Sequence, residues 1–577
     1  MNNKASLQLG GGNWAAKDAN LLAYKTSLSE KSFLPIEFTF ERGANLAGTR
    51  VDENGLIEKG RENLLKQSNI FNGSEWIKGN FSFLENQTDK DGGTTAWKAT
   101  CSTTYNYLGQ NVSGSGVYTF SGYFRKGDSN EGVRFNFSAS TDTNVYIDLT
   151  DGSSTDNGNL IYKSITAAGN GFYKVVVTAN LSSLATVRFF ITNGGTAQVS
   201  GNIYIQQFQI EVGLVATDYI ETGASTAQAG VLEDLPRIDY TGGTPSLLLE
   251  PERTNVIRNS EYLDISTDWG GFPTSNPVIQ TQNYAVAPDG TKTASLLSNF
   301  ITAGFNIVNN SNFRSPTSGT QNPIDGAYTI SVYLKTTSGT GTITLLNRGL
   351  SPGTNSAQYI SCNVTNEWQR FDVTNTYDAS EGASSLGFTI IRNSSDTLEE
   401  VLVWGAQVEA GSYVTSYIPT YGAIATRGED DVDQNSSDTF GSGAFSLFFE
   451  HEPIPTGFDG QVLLLSVNPL DFYFRYTNDN ILNIWNQDAQ QAILNTSIGR
   501  NANHKICMVY DGAGTTDIYV DGVKKRDGYS YTWPDGPYKI LLNTTAIVSG
   551  DIPVHISQVM TFETALTNAE CITLTTL

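Results

Sequence analysis

Apolar residues in this chain recur mainly at every second position, in short runs broken by glycine, asparagine, aspartate and serine. That alternation predicts strands with one buried face almost throughout. The most informative run is Glu400–Thr420, Glu-Val-Leu-Val-Trp-Gly-Ala-Gln-Val-Glu-Ala-Gly-Ser-Tyr-Val-Thr-Ser-Tyr-Ile-Pro-Thr. An earlier run, Asn202–Thr222, carries Gln209, Glu211, Gly213, Thr217, Tyr219, Ile220 and Thr222 at the spacings of Gln407, Glu409, Gly411, Thr415, Tyr417, Ile418 and Thr420. In both, Tyr204/Leu402, Phe208/Ala406 and Ile210/Val408 fall on one face at period two. Each run therefore reads as a half-buried strand, a turn at Gly213 or Gly411, and a short return strand through Tyr-Ile.

The repetition extends upstream. Arg61-Glu-Asn-Leu-Leu-Lys-Gln-Ser-Asn69 matches Arg253-Thr-Asn-Val-Ile-Arg-Asn-Ser-Glu261, Trp76 matches Trp269, and Tyr118–Arg125 matches Tyr328–Lys335. Gly171-Phe-Tyr-Lys174 matches Glu367-Trp-Gln-Arg370. The offset is 192 residues at the opening, 210 at the Tyr-Thr strand and 198 at the closing strand, so length changes fall between strands. The chain thus holds two copies of one β-sandwich, at 61–225 and 253–428, each with its own core. Between them, 226–252 reads as a hairpin, Val231–Tyr240 and Ser246–Pro251 around Gly242-Gly243. Residues 429–577 follow another pattern: Phe445–Glu450, Val462–Ser466, Phe472–Tyr476, Lys505–Tyr510 and Asp517–Val523 are successive strands. A capping box at Thr567-Asn-Ala-Glu570 starts a short terminal helix. Residues 1–60 stand outside the repeat, with a strand at Ile36–Arg42 and a hairpin tip at Val51–Ile57, and read as an attachment arm.

Composition changes this picture little. Gly is abundant (56 residues) beside 28 Phe and 27 Tyr, as many short strands and tight turns require. A net charge of −23 argues against nucleic acid, and Lys524-Lys525-Arg526 follows a Val-Asp-Gly turn. Cys101, Cys362, Cys507 and Cys571 lie far apart and read as buried thiols. No run approaches the roughly 18 apolar residues of a membrane helix, and the first residues lack the apolar core of a secretory signal. Synthesis in a cytoplasm and a surface suited to the outside are reconciled in a virion.

The residues carry a resemblance. The Arg253-Thr-Asn255 opening and Trp404-Gly-Ala-Gln-Val-Glu409 closing resemble the carbohydrate-binding-module-like jelly rolls of phage tail and fibre proteins. Val51-Asp-Glu-Asn-Gly-Leu-Ile57, Leu235-Pro-Arg-Ile-Asp-Tyr240 and Leu247-Leu-Leu-Glu-Pro-Glu-Arg-Thr-Asn255 are similar to their connectors. Gly12-Asn-Trp-Ala-Ala-Lys17 and Phe38-Thr-Phe-Glu-Arg42 resemble fibre proteins of phages of Bacteroidota, crAss-like phages included. Tyr519-Val-Asp-Gly522 and Phe562–Glu570 resemble laminin-G or concanavalin-like lectin domains. The resemblance implies an all-β chain of tandem jelly rolls, a virion fibre, attachment to other virion proteins through residues 1–60, a homotrimer, and adhesion to a host surface glycan without enzymatic activity. A purely structural head fibre or tail appendage and a capsule depolymerase are the alternatives.

Chemistry is sparse. His451, His504 and His555 lie in separate strand-like segments, and Glu450/Glu452 is the nearest carboxylate pair, before Pro453 at a strand end. Neither forms a hydrolase pattern. Sugars stack on flat aromatic faces. Tyr529, Tyr531 and Trp533 alternate on one strand face, and Trp97 is the other candidate; for the first three, a buried core face is the plainer alternative. Trp76, Trp269, Trp368 and Trp404 are expected in cores. No cofactor is expected, although the oxygen-rich loop Asp151–Asn159 leaves a structural calcium open.

Overall fold

The computed structural model describes residues 38–43 and 46–577 with interruptions at 105–106, 129–130, 264–268, 270–277, 301–312, 315–324, 351–355, 382–384, 435–439, 442, 457–460, 469–471, 534–536 and 543–551. Before residue 38 it describes the strand segments 8–9, 12–13, 23–27 and 32–35.

Nearly every described element is a strand, and all but one of the pairings are antiparallel. In the first unit the front layer runs Phe81–Gln87, Ala96–Cys101, Gly201–Val212, Leu108–Lys126, Tyr173–Thr192, Leu160–Ala167. The 19-residue and 20-residue strands Leu108–Lys126 and Tyr173–Thr192 pair along their whole length. Their register slips around Gly114 and Gly116, the latter at φ +113°, and the sheet folds over there. Beyond the fold, Thr186–Thr192 pairs with Gly132–Ala139, which pairs with Thr143–Asp148, making the back layer. Alternation supplies the core: Trp97, Ala99, Phe120, Phe124, Phe135, Phe189 and Phe208 point between the layers. Phe189 and Phe208 sit 4.5 Å apart, and Phe120 and Phe135 also 4.5 Å apart.

The second unit repeats the order of the first five front strands. Ile279–Ala285, Ala294–Ser298, Glu400–Ala410, Gly326–Lys335 and Gln369–Tyr377 form the front; Phe313–Arg314, Ser385–Ile391, Gly341–Leu350 and Ala357–Val364 form the back. A bulge recurs in both copies. The register slips between Ser121 and Tyr123 in one and between Ser331 and Tyr333 in the other. The residues opposite, Gln207 and Gly405, take φ +52° and +64°.

The bulge corrects the sequence reading of the closing strand. Strict alternation put Tyr204 on the face of Phe208 and Ile210. The extra residue reverses the parity, so Ile203 and Ile205 join Phe208 and Ile210 in the core while Tyr204 and Gln206 face outward. The expected return strand through Tyr219-Ile220 and Tyr417-Ile418 is also absent as a strand: these residues have no ladder pairing.

The C-terminal sandwich is completed from outside its own stretch of sequence. One sheet runs Ser246–Leu249, Val554–Phe562, Phe445–His451, His504–Tyr510, Thr515–Val520, Val523–Ser530; the connector hairpin is therefore its edge. The other runs Gln491–Ser497, Ile481–Asn486, Phe472–Asn478, Val462–Asn468, Lys539–Leu542, Asp431–Gln434, Phe38–Glu41. Phe38 and Phe40 enter its core together with Leu247 and Leu249. Ala23–Ser27 lies parallel to Val554–Phe562. Of the strand expected at Ile36–Arg42, Phe38–Glu41 is described as a strand of this sheet, where its alternating Phe side chains find a core. The terminal helix Asn568–Thr575 begins with the expected capping box.

Candidate functional site

The repeated polar residues, which look like a site in the sequence, form a clasp. Asn255 donates Nδ2 to the carbonyls of Ala406 (3.3 Å) and Ile418 (2.9 Å), and its Oδ1 accepts from the amides of Ile257 and Val408, both at 3.1 Å. Asn63 does the same with Phe208, Ile220, Leu65 and Ile210. Gln407 Oε1 takes the Ile418 amide at 2.7 Å, as Gln209 takes that of Ile220 at 2.6 Å. Glu409 and Glu211 each hold the amide and hydroxyl of Thr415 and Thr217. These side chains replace the ladder that the return segment lacks, leaving few buried backbone groups unmet. They serve the fold.

The aromatic candidates are placed as follows. Trp533 is buried and stacks on Phe472 at 4.0 Å, with its Nε1 donating to Thr516 Oγ1 at 3.2 Å. Tyr529 is buried beside it and accepts from Gln491 Nε2 at 2.7 Å. Tyr531 is half-buried and donates to Asp488 at 3.1 Å. Trp97 points into the first core, 6.3 Å from Phe71, and donates to the Asn69 carbonyl. A ring enclosed by protein on both faces has none left for a pyranose, so Trp97, Tyr529 and Trp533 are corrected to core residues; the alternation that aligned them was that of a buried face. Trp404, expected in a core, is wholly buried on the outer side of its sheet, and Trp368 is half-buried near it.

The front face of the first unit has the openness these positions lack. Lys98, Tyr204 and Arg125 are cross-strand neighbours in one row; Gln206, Tyr123 and Lys174 make the next. The Arg125 guanidinium carbon lies 3.9 Å from the Tyr204 ring centroid and 5.0 Å from that of Phe172. Lys90 Nζ is 5.1 Å from the Tyr123 centroid. Tyr123 and Tyr204 are both half-buried. Reading the sequence missed them because the bulge that turns Tyr204 outward leaves no local mark.

The same face of the second unit is covered by the chain itself. The hairpin Thr49–Val51/Ile57–Lys59 lies on it: Ile57 packs with Trp404 and Tyr417, its amide donates to the Pro288 carbonyl at 3.0 Å, and the Val51 amide donates to Asp239 at 2.8 Å. Lys59 Nζ rests 5.4 Å from the Trp404 ring and is held by Asp289 (2.7 Å), Glu261 (3.0 Å) and the Tyr421 hydroxyl (3.1 Å). Burial opposes that charge, but Glu261, Tyr421 and Asp289 keep the Lys59 pKa well above its ordinary value. Trp404 Nε1 donates to Thr293 at 3.0 Å where, in the first unit, Gln206 Nε2 donates to Thr95 at 3.0 Å. Glutamine thus keeps the hydrogen bond of the tryptophan without its ring. Between hairpin and units lies a cleft of about 970 Å³, bordered by Lys59, Arg61, Lys174, Glu211, Asp289 and Tyr421. Lys174 belongs both to this cleft and to the tyrosine-bearing face.

Two of the histidines are held by other protein groups. His451 and His504, read as separate, lie with ring centroids 5.5 Å apart. His451 meets the Glu452 carbonyl at 2.8 Å and the Tyr476 hydroxyl at 3.2 Å, and burial lowers its pKa to about 4, so it is neutral at pH 7. His504 sits between Asp521 and the Gly499 carbonyl, both at 2.7 Å. In the oxygen-rich loop, Asp151 accepts the Ser153 amide at 2.8 Å. Among the described residues no three acids, histidines or cysteines are grouped as metal ligands.

No family model matches the chain, and no curated protein matches it. Among solved structures, it is similar to the N-terminal CBM22-1–CBM22-2 tandem domain of Paenibacillus barcinonensis Xyn10C, at 12% identity over 64% of this chain and 100% of that one, TM-score 0.21. It is also similar to the binding domain of Paraclostridial Mosquitocidal Protein 1, at 16% identity over 25% of this chain and 43% of that one, TM-score 0.20. At such scores the superposition bears no weight, and the tandem-sandwich description rests on the strand pairing.

Proposed function

We propose that this chain is a non-enzymatic adhesion protein, carried on a phage virion fibre, that binds host surface glycans through the front face of its first sandwich. One observation supports this most: the same sheet face occurs twice, sealed by the Thr49–Lys59 hairpin in the second unit and open in the first. On the open copy, Tyr123 and Tyr204 offer rings for stacking, and Arg125 and Lys98 offer donors for hydroxyls. Single contacts of this kind are weak. A homotrimer, and several fibres per particle, would raise avidity by about two to four orders of magnitude.

The test is binding of the full chain to polysaccharide extracted from the host surface. Tyr123→Ala/Tyr204→Ala should lower affinity about tenfold or more while thermal unfolding is unchanged. Wild-type binding by the double variant would remove the reading. A second reading, a structural virion spacer, is favoured by the way Ala23–Ser27, Phe38–Glu41 and the connector are built into the C-terminal sheets. Silence toward glycans together with tight binding to a capsid or tail protein would select it, and release of reducing ends would select a depolymerase.

A further inference from the structure

We propose that the back layer of the first sandwich carries a second saccharide site, selective for polysaccharide bearing carboxylates. Its outer face presents Arg134 opposite Phe190 and Asn136 opposite Arg188 on adjacent strands. The Arg134 guanidinium carbon lies 3.6 Å from the Phe190 ring centroid, and that of Arg188 lies 5.1 Å from Tyr107. Tyr107 and Phe190 are 5.7 Å apart, so rings and guanidiniums alternate across the face. Beside them Asn136 Nδ2 donates to Asn144 Oδ1, and Asn144 Nδ2 to Asn157 Oδ1, each at 3.0 Å.

Like Arg125 on the front face, these two arginines lack a carboxylate acceptor among the described residues. Arg42, Arg237, Arg427 and Arg500 are all paired with carboxylates. Among the described residues Arg134 and Arg188 have ring contacts only, and the Nε of each is buried without a hydrogen-bond partner. The nearby carboxylate of Asp148 accepts the Thr150 amide at 2.7 Å. A guanidinium stacked by its face keeps its in-plane N–H donors for an incoming group, and a carboxylate matches their fork geometry. Diagonal neighbours on paired strands lie about 7–8 Å apart, which allows both forks to meet one chain. The half-buried Tyr107 ring suits a sugar face, and the exposed Asn157 amide suits hydroxyls.

The second unit folds without this set. In the equivalent cross-strand pairs it has Leu346 opposite Thr389 and Arg348 opposite Gly387, leaving one arginine and no ring stacked on it among the described pairs. The fold does not need the ladder.

This inference rests on the glycan-binding reading but uses the opposite layer, so the two fail separately. The experiment is electrophoresis of the full chain through gels containing polygalacturonate, its methyl ester, or single-stranded DNA. Wild-type protein should be retarded by polygalacturonate alone, and Arg134→Gln/Arg188→Gln should weaken this about tenfold or more with thermal unfolding unchanged. Arg134→Lys/Arg188→Lys should recover only part, since ammonium groups lack the fork. Tyr123→Ala/Tyr204→Ala should be retarded like wild type; if it loses polygalacturonate binding, the site lies on the front face and the inference falls. It also falls if wild type is not retarded, if ester or DNA retards equally, or if the glutamine variant behaves as wild type.

Discussion

Asp89 illustrates how one carboxylate can set the shape of a loop. It accepts the amides of Asp91 (2.9 Å), Gly93 (2.8 Å) and Thr95 (3.1 Å), and the Thr95 hydroxyl (2.8 Å), which in turn receives Gln206. Burial alone would raise its pKa; the bonds from Thr95, Asp91 and Gly93 outweigh this and lower it to about 2 from 3.8. A depressed carboxylate adds stability that is fully present above its unfolded value and is lost as the pH falls through the folded one. The first sandwich should therefore lose melting temperature as the pH drops from about 4 to 2. Asp89→Asn should melt lower at pH 7 and show a flatter decline in acid, read by calorimetry at several pH values. Equal acid slopes in the two proteins would show that the loop does not use the charge.

At the scale of the element, the clasp explains why the two units share so many polar residues. Asn255 bridges the opening segment, the closing strand and the return segment with four hydrogen bonds. Asn255→Ala leaves buried carbonyls and amides unmet and should cost the second unit about 2–4 kcal/mol. Asn63→Ala should cost the first unit a similar amount and leave the second unchanged, as resolved by denaturant unfolding with a separate probe in each. Much of this was legible in the sequence: the repeat, the turns at Gly213 and Gly411, the strand character and the terminal capping box all follow from local spacing. Other features depend on contacts that spacing does not encode. The bulge at Gln207, a residue with no glycine to mark it, flips Tyr204 outward. The return segment has strand-like residues, yet side chains of Asn63 and Gln209 satisfy its backbone. Alternation identified the faces of Trp97 and Trp533 without telling core from surface, since both kinds of face have period two.

For the whole molecule, a buried cluster of charges ties distant stretches of chain together. Glu250, at the end of the connector, sits 2.7 Å from Arg237 and 3.0 Å from Arg427, and accepts the Ser416 amide at 2.7 Å. Arg237 also pairs with Asp430, which Arg42 reaches at 2.9 Å. Burial alone would raise the Glu250 pKa, but Arg427 and Arg237 hold it well below the usual range. The cluster lies where Phe38–Glu41, Ser246–Leu249 and Asp431–Gln434 enter the C-terminal sandwich. Forming such a cluster brings little net stability, because desolvation cancels most of the attraction, whereas removing one member strands its partners. Glu250→Gln should therefore destabilise the protein by about 3–5 kcal/mol. The damage should spread beyond the substitution. Arg427 then loses its carboxylate and Arg237 keeps only Asp430, which disturbs the Asp430–Arg42 link that anchors the Phe38–Glu41 strand, and limited proteolysis should cut near residue 43 before the sandwiches open. Cutting should slow again in Arg237→Met/Glu250→Leu/Arg427→Met, where no charge is stranded beside Ser416. If Glu250→Gln resists protease like wild type, the N-terminal strand is held by Phe38 and Phe40 in the core alone, and the charges act only within the connector.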